Sequence, residues 1–330
     1  MEYRYLGKTG VKISSLVLGT MSFGEDADDR SAAEMFHGCR EVGINCFDCA
    51  NVYQGGRSEE VLGRLVADCR DEVILTSKVY FPAGEDINAR GASRRHILRA
   101  VEASLRRLNT AYIDVYFIHH FDDSTPLEET LRALDDLVRQ GKILYPAASN
   151  FAAWQVEKAL GIAAGAGLAP FACIQPMYNL VKRQAEVEIL PMAAAEQLGV
   201  IVYSPLGGGL LTGKYGVNRK PDQGRLVESQ RYQIRYGEPW MYEAAERFTQ
   251  YARERGCEPA ALAVSWAAHH PAVTAPIIGA RDLNQLSGSL KSLEIEMTPE
   301  MWQEIAALSP APPPATDRSE EEEMGETSRR

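Results

Sequence analysis

The stretch IDVYFIHHFDDSTPLEETLRALDDLVRQGKILYPAASN, residues 113–150, decides the fold. Residues 113–119 form an apolar run of strand length, nearly continuous in the manner of strands covered on both faces. Residues 126–140 then carry apolar side chains at helical spacing. Pro126 stands at the first turn and Gly141 just past the last, the asymmetry expected of a helix. Residues 143–149 return to a strand pattern. Strand, helix and strand in this order make a β-α-β unit, whose two strands run parallel.

Outward in both directions the unit recurs. Strands are predicted at 16–19, 44–48, 73–78, 113–119, 143–149, 172–175, 200–204 and 275–279. Helices are predicted at 31–42, 58–66, 93–108, 126–140, 154–164, 186–198, 240–255 and 259–269. The 93–108 segment, for example, places Ile97, Val101, Leu105 and Leu108 on one face. Eight such units argue for closure into a parallel (β/α)8 barrel, a TIM barrel of the α/β class. A doubly wound open sheet shares the alternation, but no G-x-G-x-x-G follows an early strand. Ahead of the barrel, 3–6 and 11–14 read as a small β-hairpin around a Lys-Thr-Gly turn. Residues 206–237 read as a long loop after the seventh strand, rich in glycine and charge, and loops of that length are usually functional or mobile. From Pro310 onward the composition is that of a disordered acidic tail. The expected organisation is therefore a barrel over 1–309 and a tail over 310–330.

Composition narrows the function classes. The 330 residues are 45% hydrophobic and 24% charged, ordinary for a chain with a sizeable core. The net charge of −10 leaves no global basic field for nucleic acid. No apolar run reaches membrane-span length, and the polar MEYRYLGKTG start lacks a signal-peptide core, so a cytoplasmic protein is expected. Cys46 and Cys49 form a C-x-x-C, but no second pair or nearby histidine completes a metal site, and none is expected.

In a parallel barrel the active site lies at the C-terminal strand ends. There the second strand ends in FDCANVY, giving Asp48 and Tyr53; the third gives Lys78; the fourth gives His119 and His120. Consecutive strands are neighbours, so these groups converge. Reducing a carbonyl by hydride transfer requires a proton for the forming alkoxide. Free tyrosine titrates near ~10 and is a poor donor at neutral pH. The Lys78 ammonium is expected to lower that pKa, Asp48 to keep the lysine charged, and His119 to hold the carbonyl oxygen. Strand alternation turns His120 to the other face. Each residue alone has a structural reading: a loop cap, a half-buried aromatic, a solvent-facing lysine, a core histidine. Their convergence at three adjacent strand ends favours chemistry.

These residues resemble the aldo-keto reductase family. FDCANVYQGGRSEEVLG is similar to its signature around the aspartate and tyrosine, TSKV to its lysine segment, and IDVYFIHHFD to its histidine strand. The resemblance runs from the hairpin to about Leu308, and its long loop is closer to the branch of potassium-channel β subunits and aryl-alcohol dehydrogenases. It implies a tetrad of Asp48, Tyr53, Lys78 and His119, and NADPH/NADP+ as cofactor, with NADH as an option. It implies that Ser149, Asn150 and Gln175 hold the nicotinamide carboxamide, with Tyr203 stacked on the ring and Gly19, Thr20 and Met21 beneath it. Ser204, Leu206, Gly208 and Lys214 match the pyrophosphate segment. Gly279, Arg281, Gln285 and Ser289 match the adenosine end. There Arg281 is the expected 2′-phosphate partner, and Ser289 stands where the family usually has asparagine. YPAASN also departs from the family pattern: Pro146 lacks an N–H and predicts a local break in strand pairing.

The implied activity is reduction of aldehydes or ketones, with a small carbonyl or alcohol as substrate. Two other readings remain. One is a regulatory subunit that senses cofactor occupancy, as the channel-subunit branch implies. The other is a lyase using Lys78 as a Schiff-base amine, which the Asp48 pairing disfavours. Neither substrate identity nor oligomeric state is written in these residues.

Overall fold

The structure is a computed structural model that describes residues 1–316. A two-stranded antiparallel hairpin, β1 (Tyr3–Tyr5) and β2 (Lys12–Ser14), precedes the barrel. Eight parallel strands follow: β3 (Val17–Gly19), β4 (Cys46–Asp48), β5 (Ile74–Val79), β6 (Ile113–Ile118), β7 (Ile143–Ser149), β8 (Cys173–Gln175), β9 (Gly199–Val202) and β10 (Ala275–Ile278). They pair in chain order and β10 closes back onto β3, so the sheet has no open edge. This is the expected (β/α)8 barrel with its N-terminal hairpin.

The helices around it are α1 (Asp29–Glu41), α2 (Arg57–Leu65), α3 (Arg94–Leu108), α4 (Leu127–Arg139), α5 (Ala153–Ala166), α6 (Ile189–Ala195), α7 (Arg225–Glu228), α8 (Gln230–Arg235), α9 (Pro239–Glu254), α10 (Pro259–Ala268), α11 (Leu283–Leu290) and α12 (Pro299–Ala306). The caps follow the sequence: the Ser93 side chain accepts from the His96 N–H, and Asp282 accepts from Gln285 N–H. Among the described residues no helix is long and apolar enough to cross a membrane.

Two hydrophobic layers result from strand alternation. Val17, Cys46, Val115, Phe117, Ala147, Cys173, Ile201 and Ala275 fill the barrel interior, and hairpin residues Leu6 and Ile13 join them. Residues of the opposite parity, such as Leu18, Phe47, Leu75, Tyr116, Ile118, Ala148 and Val200, pack outward under the helices. The inward parity continues to the C-terminal rim. There it places Gly19, Asp48, Lys78, His119, Ser149, Gln175 and Tyr203 around one opening.

Several expectations need correction. Strand pairing is not broken at Pro146: β7 runs unbroken, with Pro146 level with Tyr116 of β6. The Pro146 carbonyl points to the β8 side and accepts from Ala172 N–H. The missing N–H would face the same way, but β8 starts pairing only at Ala147↔Cys173, so no ladder bond is lost. The seventh barrel strand ends at Val202, two residues early, because Ser204 turns into the left-handed region (φ 58). Residues 206–237 are not loop throughout; they contain a 3₁₀ turn (Gly207–Thr212), α7 and α8. The predicted helix 186–198 contracts to α6 behind a 3₁₀ turn at Gln184–Glu186. α11 and α12 were not anticipated. Residues 317–330 of the predicted tail lie outside the described residues.

Candidate active site

Lys78 is the centre of the rim. Its side chain is fully buried, and a buried ammonium needs a partner for each of its three N–H donors. Nζ has three acceptors: Asp48 Oδ2 at 2.6 Å, the Cys49 carbonyl at 2.7 Å and Tyr53 Oη at 3.2 Å. Asp48 in turn accepts at Oδ1 from Thr76 Oγ1 (2.7 Å) and Gln175 Nε2 (2.8 Å). Both charges are therefore compensated. Burial acts to discharge the lysine, but Asp48 and then Tyr53 outweigh it and raise its pKa above the ordinary value.

Tyr53 sits at the start of a 3₁₀ turn, Tyr53–Gly56, that runs into α2. Its pKa is pushed up to about 12, with burial as the largest cause and Lys78 offsetting part of it. The expectation of a lowered value is therefore corrected: in the resting site, desolvation of the phenolate exceeds the help from the ammonium.

His119 lies beside it, rings 6.0 Å apart and nearly perpendicular. Burial, then the charge of Lys78, holds the imidazole well below its ordinary pKa, so it is neutral near pH 7. Its Nδ1 is buried without a partner. His120 is exposed and turned to the Tyr80 ring, outside the cluster.

Beyond the tetrad, the Ser149 hydroxyl donates to the Gln175 carbonyl at 2.9 Å. Asn150 holds a left-handed conformation (φ 58) that asparagine tolerates. Its Nδ2 donates to the His119 carbonyl, and its Oδ1 accepts from Tyr203 Oη at 2.7 Å. Thr20 Oγ1 donates to the Asp48 carbonyl, and the Met21 carbonyl accepts from Gln54. Gly279 abuts the Gly19 carbonyl at the closure of the barrel. Ser204 and Leu206 lead into the glycine turn. At Gly208 (φ 66) a Cβ would stand 2.7 Å from the Tyr232 ring of α8, so only glycine lets the α7–α8 segment lie this close.

At the far end, the Lys214 ammonium is held below its usual pKa by burial and then by the guanidiniums of Arg281 and Arg225. The guanidiniums are thus close enough to act on the Lys214 charge, and the Glu228 carboxylate lies 3.5 Å from Arg281. Gln285 Oε1 is turned back onto the Arg281 N–H, and Ser289 is buried in the packing of α11. The expected adenosine contact at Ser289 is corrected: its side chain is buried and faces no ligand surface. The side-chain amides of Asn150 and Gln175 and the cations Lys214, Arg225 and Arg281 are donor types that suit a dinucleotide carrying phosphates.

Thr76 and Arg225 were not singled out from sequence. Thr76 was within reach, since it lies two residues before Lys78 on the same strand face. Phe81, half-exposed, stands edge-on 4.9 Å from the His119 ring, and Tyr80 packs on it. Phe121 meets Phe151, in the next loop, and Trp154, in the first turn of α5. Cys46 packs in the inner core; the buried Cys49 thiol, its pKa pushed up to about 12, contacts Ser58.

Known proteins resemble the chain in sequence. The family model for the aldo/keto reductase family matches residues 15–310. The chain belongs to the aldo-keto reductase family. It is 37% identical over 327 residues to an uncharacterized oxidoreductase, YrpG, of Bacillus subtilis (strain 168), covering 94% of this chain and 97% of that one. It is 33% identical to a probable voltage-gated potassium channel subunit beta of Oryza sativa subsp. japonica, covering 96% and 99% of the two chains. It is 31% identical to versiconal hemiacetal acetate reductase of Aspergillus parasiticus, over 91% and 94%. This aldo-keto reductase is accordingly an oxidoreductase of the carbonyl-reducing class, a class that works with nicotinamide cofactors.

Proposed function

We propose that the chain reduces aldehydes or ketones to alcohols with NADP(H), reversibly, and that Tyr53 gives the proton. One observation carries the reading: at the buried Lys78 the Tyr53 oxygen is an acceptor. Lysine has only donors, so the phenol's own proton is left for another acceptor, such as a carbonyl oxygen in the mouth. As negative charge passes to Tyr53, the ammonium 3.2 Å away stabilises it without having to reorganise. Asp48, fixed by Thr76 and Gln175, keeps that ammonium charged in a dry site. Neutral His119 can donate a hydrogen bond to the substrate oxygen but cannot compete with Tyr53 as the acid.

A bound nicotinamide supplies the hydride. Ser149, Asn150 and Gln175 would hold its carboxamide end, and the ring of Tyr203 would lie against it. Lys214, Arg225 and Arg281 would meet the phosphates, and Arg281, the expected 2′-phosphate partner, is the support for NADP(H) over NAD(H). Phe81, edge-on 4.9 Å from the His119 ring, favours an apolar or aryl carbonyl over a sugar.

A carbonyl panel followed by NADPH absorbance tests this. Aryl and apolar aldehydes should consume NADPH faster than aldoses. Absence of consumption with every aldehyde and ketone would refute the assignment. A second reading, a cofactor-sensing subunit, has the channel-subunit relative behind it. That reading requires a channel partner retained through purification and turnover too slow to exceed the background rate.

A further inference from the structure

Glu59 is a carboxylate with no place in the chemistry above, yet it is completely buried beside it. It lies in the first turn of α2, six residues after Tyr53. Its Oε2 accepts from Arg107 Nε at 2.7 Å and Nη2 at 2.6 Å, across to the last turn of α3. Its Oε1 accepts from Ser77 Oγ at 2.5 Å. Ser77 directly precedes Lys78 on β5, and alternation turns Ser77 out to the helices while Lys78 points in.

The neighbouring contacts point the same way. Ser58 Oγ donates to the Thr20 carbonyl at 2.7 Å and touches the Cys49 thiol, tying the same turn of α2 to the ends of β3 and β4. The Arg107 side chain lies flat on Gly56, the residue that closes the Tyr53 turn. Gly56 has φ 98, and a Cβ there would come within 2.9 Å of Arg107 Cδ. The other groups facing this carboxylate are the Tyr116 hydroxyl from β6, buried without a partner, and the Cys49 thiol.

We infer that Glu59 is a positioning residue: held by Arg107, it clamps the turn bearing Tyr53 to the strand bearing Lys78 and thereby sets the Tyr53–Lys78 separation. The two catalytic groups are on different segments, and their hydrogen bond alone is long at 3.2 Å. Glu59 and Ser77 join those segments directly behind the pair. A buried ion pair returns little net stability once its desolvation is counted, so stability alone does not account for placing one here. A proton donor and its activating charge, by contrast, are sensitive to small displacements, and a shift of about 1 Å can cost about 100-fold in rate.

The inference rests on Tyr53 acting as the proton donor. The test is steady-state and single-turnover reduction by wild type, Ser77→Ala and Glu59→Gln, with the pH profile of kcat and NADPH affinity from fluorescence quenching. Ser77→Ala removes one hydrogen bond and no charge, so it decides the question even where Glu59→Gln fails to fold. The expected result for Ser77→Ala is kcat lowered about tenfold or more, with KM and NADPH Kd within about twofold of wild type. The basic limb of its kcat profile should move to a different pH. Wild-type kcat and pH profile in Ser77→Ala would overturn the clamp while leaving the reductase assignment intact. So would a parallel loss of NADPH binding, which marks general loosening. No carbonyl reduction by wild type itself would overturn the reductase assignment, and the clamp with it.

Discussion

Replacing Lys78 with methionine removes the ammonium and keeps a chain of similar length. At 3.2 Å from the Tyr53 oxygen, a unit charge is worth ~5 kcal/mol at an effective dielectric of about 20. That is a ceiling, because the Asp48 carboxylate 2.6 Å from the ammonium cancels part of its field. If half survives, the acid is weakened ~100-fold, since 1.36 kcal/mol corresponds to a factor of ten. Lys78→Met should therefore slow single-turnover reduction, read as NADPH absorbance in a stopped-flow mixer, by more than tenfold and up to about 100-fold. A second effect must be separated from it. Breaking a buried ion pair by deleting one partner costs about 3–5 kcal/mol of stability. Here Thr76 and Gln175 still hold Asp48 Oδ1, which places the expected loss near the lower end. Adding Asp48→Asn to Lys78→Met should restore much of the stability in a urea titration and none of the rate. A Lys78→Met rate within tenfold of wild type, in folded protein, would refute the argument. Recovery of rate together with stability in the double variant would do so equally.

Three further outcomes follow from named contacts. Arg281→Ala should weaken NADPH by about 10-fold to 100-fold, the scale of one charge-assisted hydrogen-bonded contact, and leave NADH nearly unchanged by titration. Equal weakening of both would remove the reason to prefer NADPH. Phe81→Ala, deleting the ring 4.9 Å from His119, should raise KM for aryl aldehydes about tenfold or more and spare small aliphatic ones; unchanged aryl KM values would contradict the preference assigned to Phe81. His96 and His119 are both held below the ordinary histidine pKa, chiefly by burial. The unfolded chain then binds protons near pH 6.5 that the folded chain refuses, so stability falls as pH drops through that value. Each such histidine contributes a loss of up to ~1.4 kcal/mol per pH unit below it. Urea midpoints at pH 7.5 and 5.5 should differ accordingly, and less so in His96→Gln; identical differences would show that His96 is not responsible.

Much of the site was legible because barrel geometry turns sequence position into spatial position. Asp48, Lys78 and His119 share inward parity at neighbouring strand ends, so period-two alternation alone brings them together. Ser149, Gln175 and Tyr203 follow by the same rule. What was not legible depends on packing rather than on order. The ionisation of Tyr53 is a contest between burial and Lys78, and no local pattern shows which wins. Pro146 read as a break because the sequence does not show that β8 begins one residue above its missing N–H. The Glu59–Arg107 pair joins α2 to α3 across forty-eight positions, and each residue reads locally as part of an amphipathic helix. The 206–237 segment hid α7 and α8 because they are short and take their support from the glycine turn beneath them, as at Gly208 and Tyr232.

The central claim is that Tyr53 gives the proton. Tyr53→Phe keeps the ring and its packing against His119 and removes only the hydroxyl. Its single-turnover reduction of an aryl aldehyde, measured beside its NADPH affinity, addresses that claim directly. The account predicts a rate lowered by about 100-fold to 10,000-fold with NADPH Kd unchanged. Reduction within tenfold of wild type at unchanged NADPH affinity would contradict it.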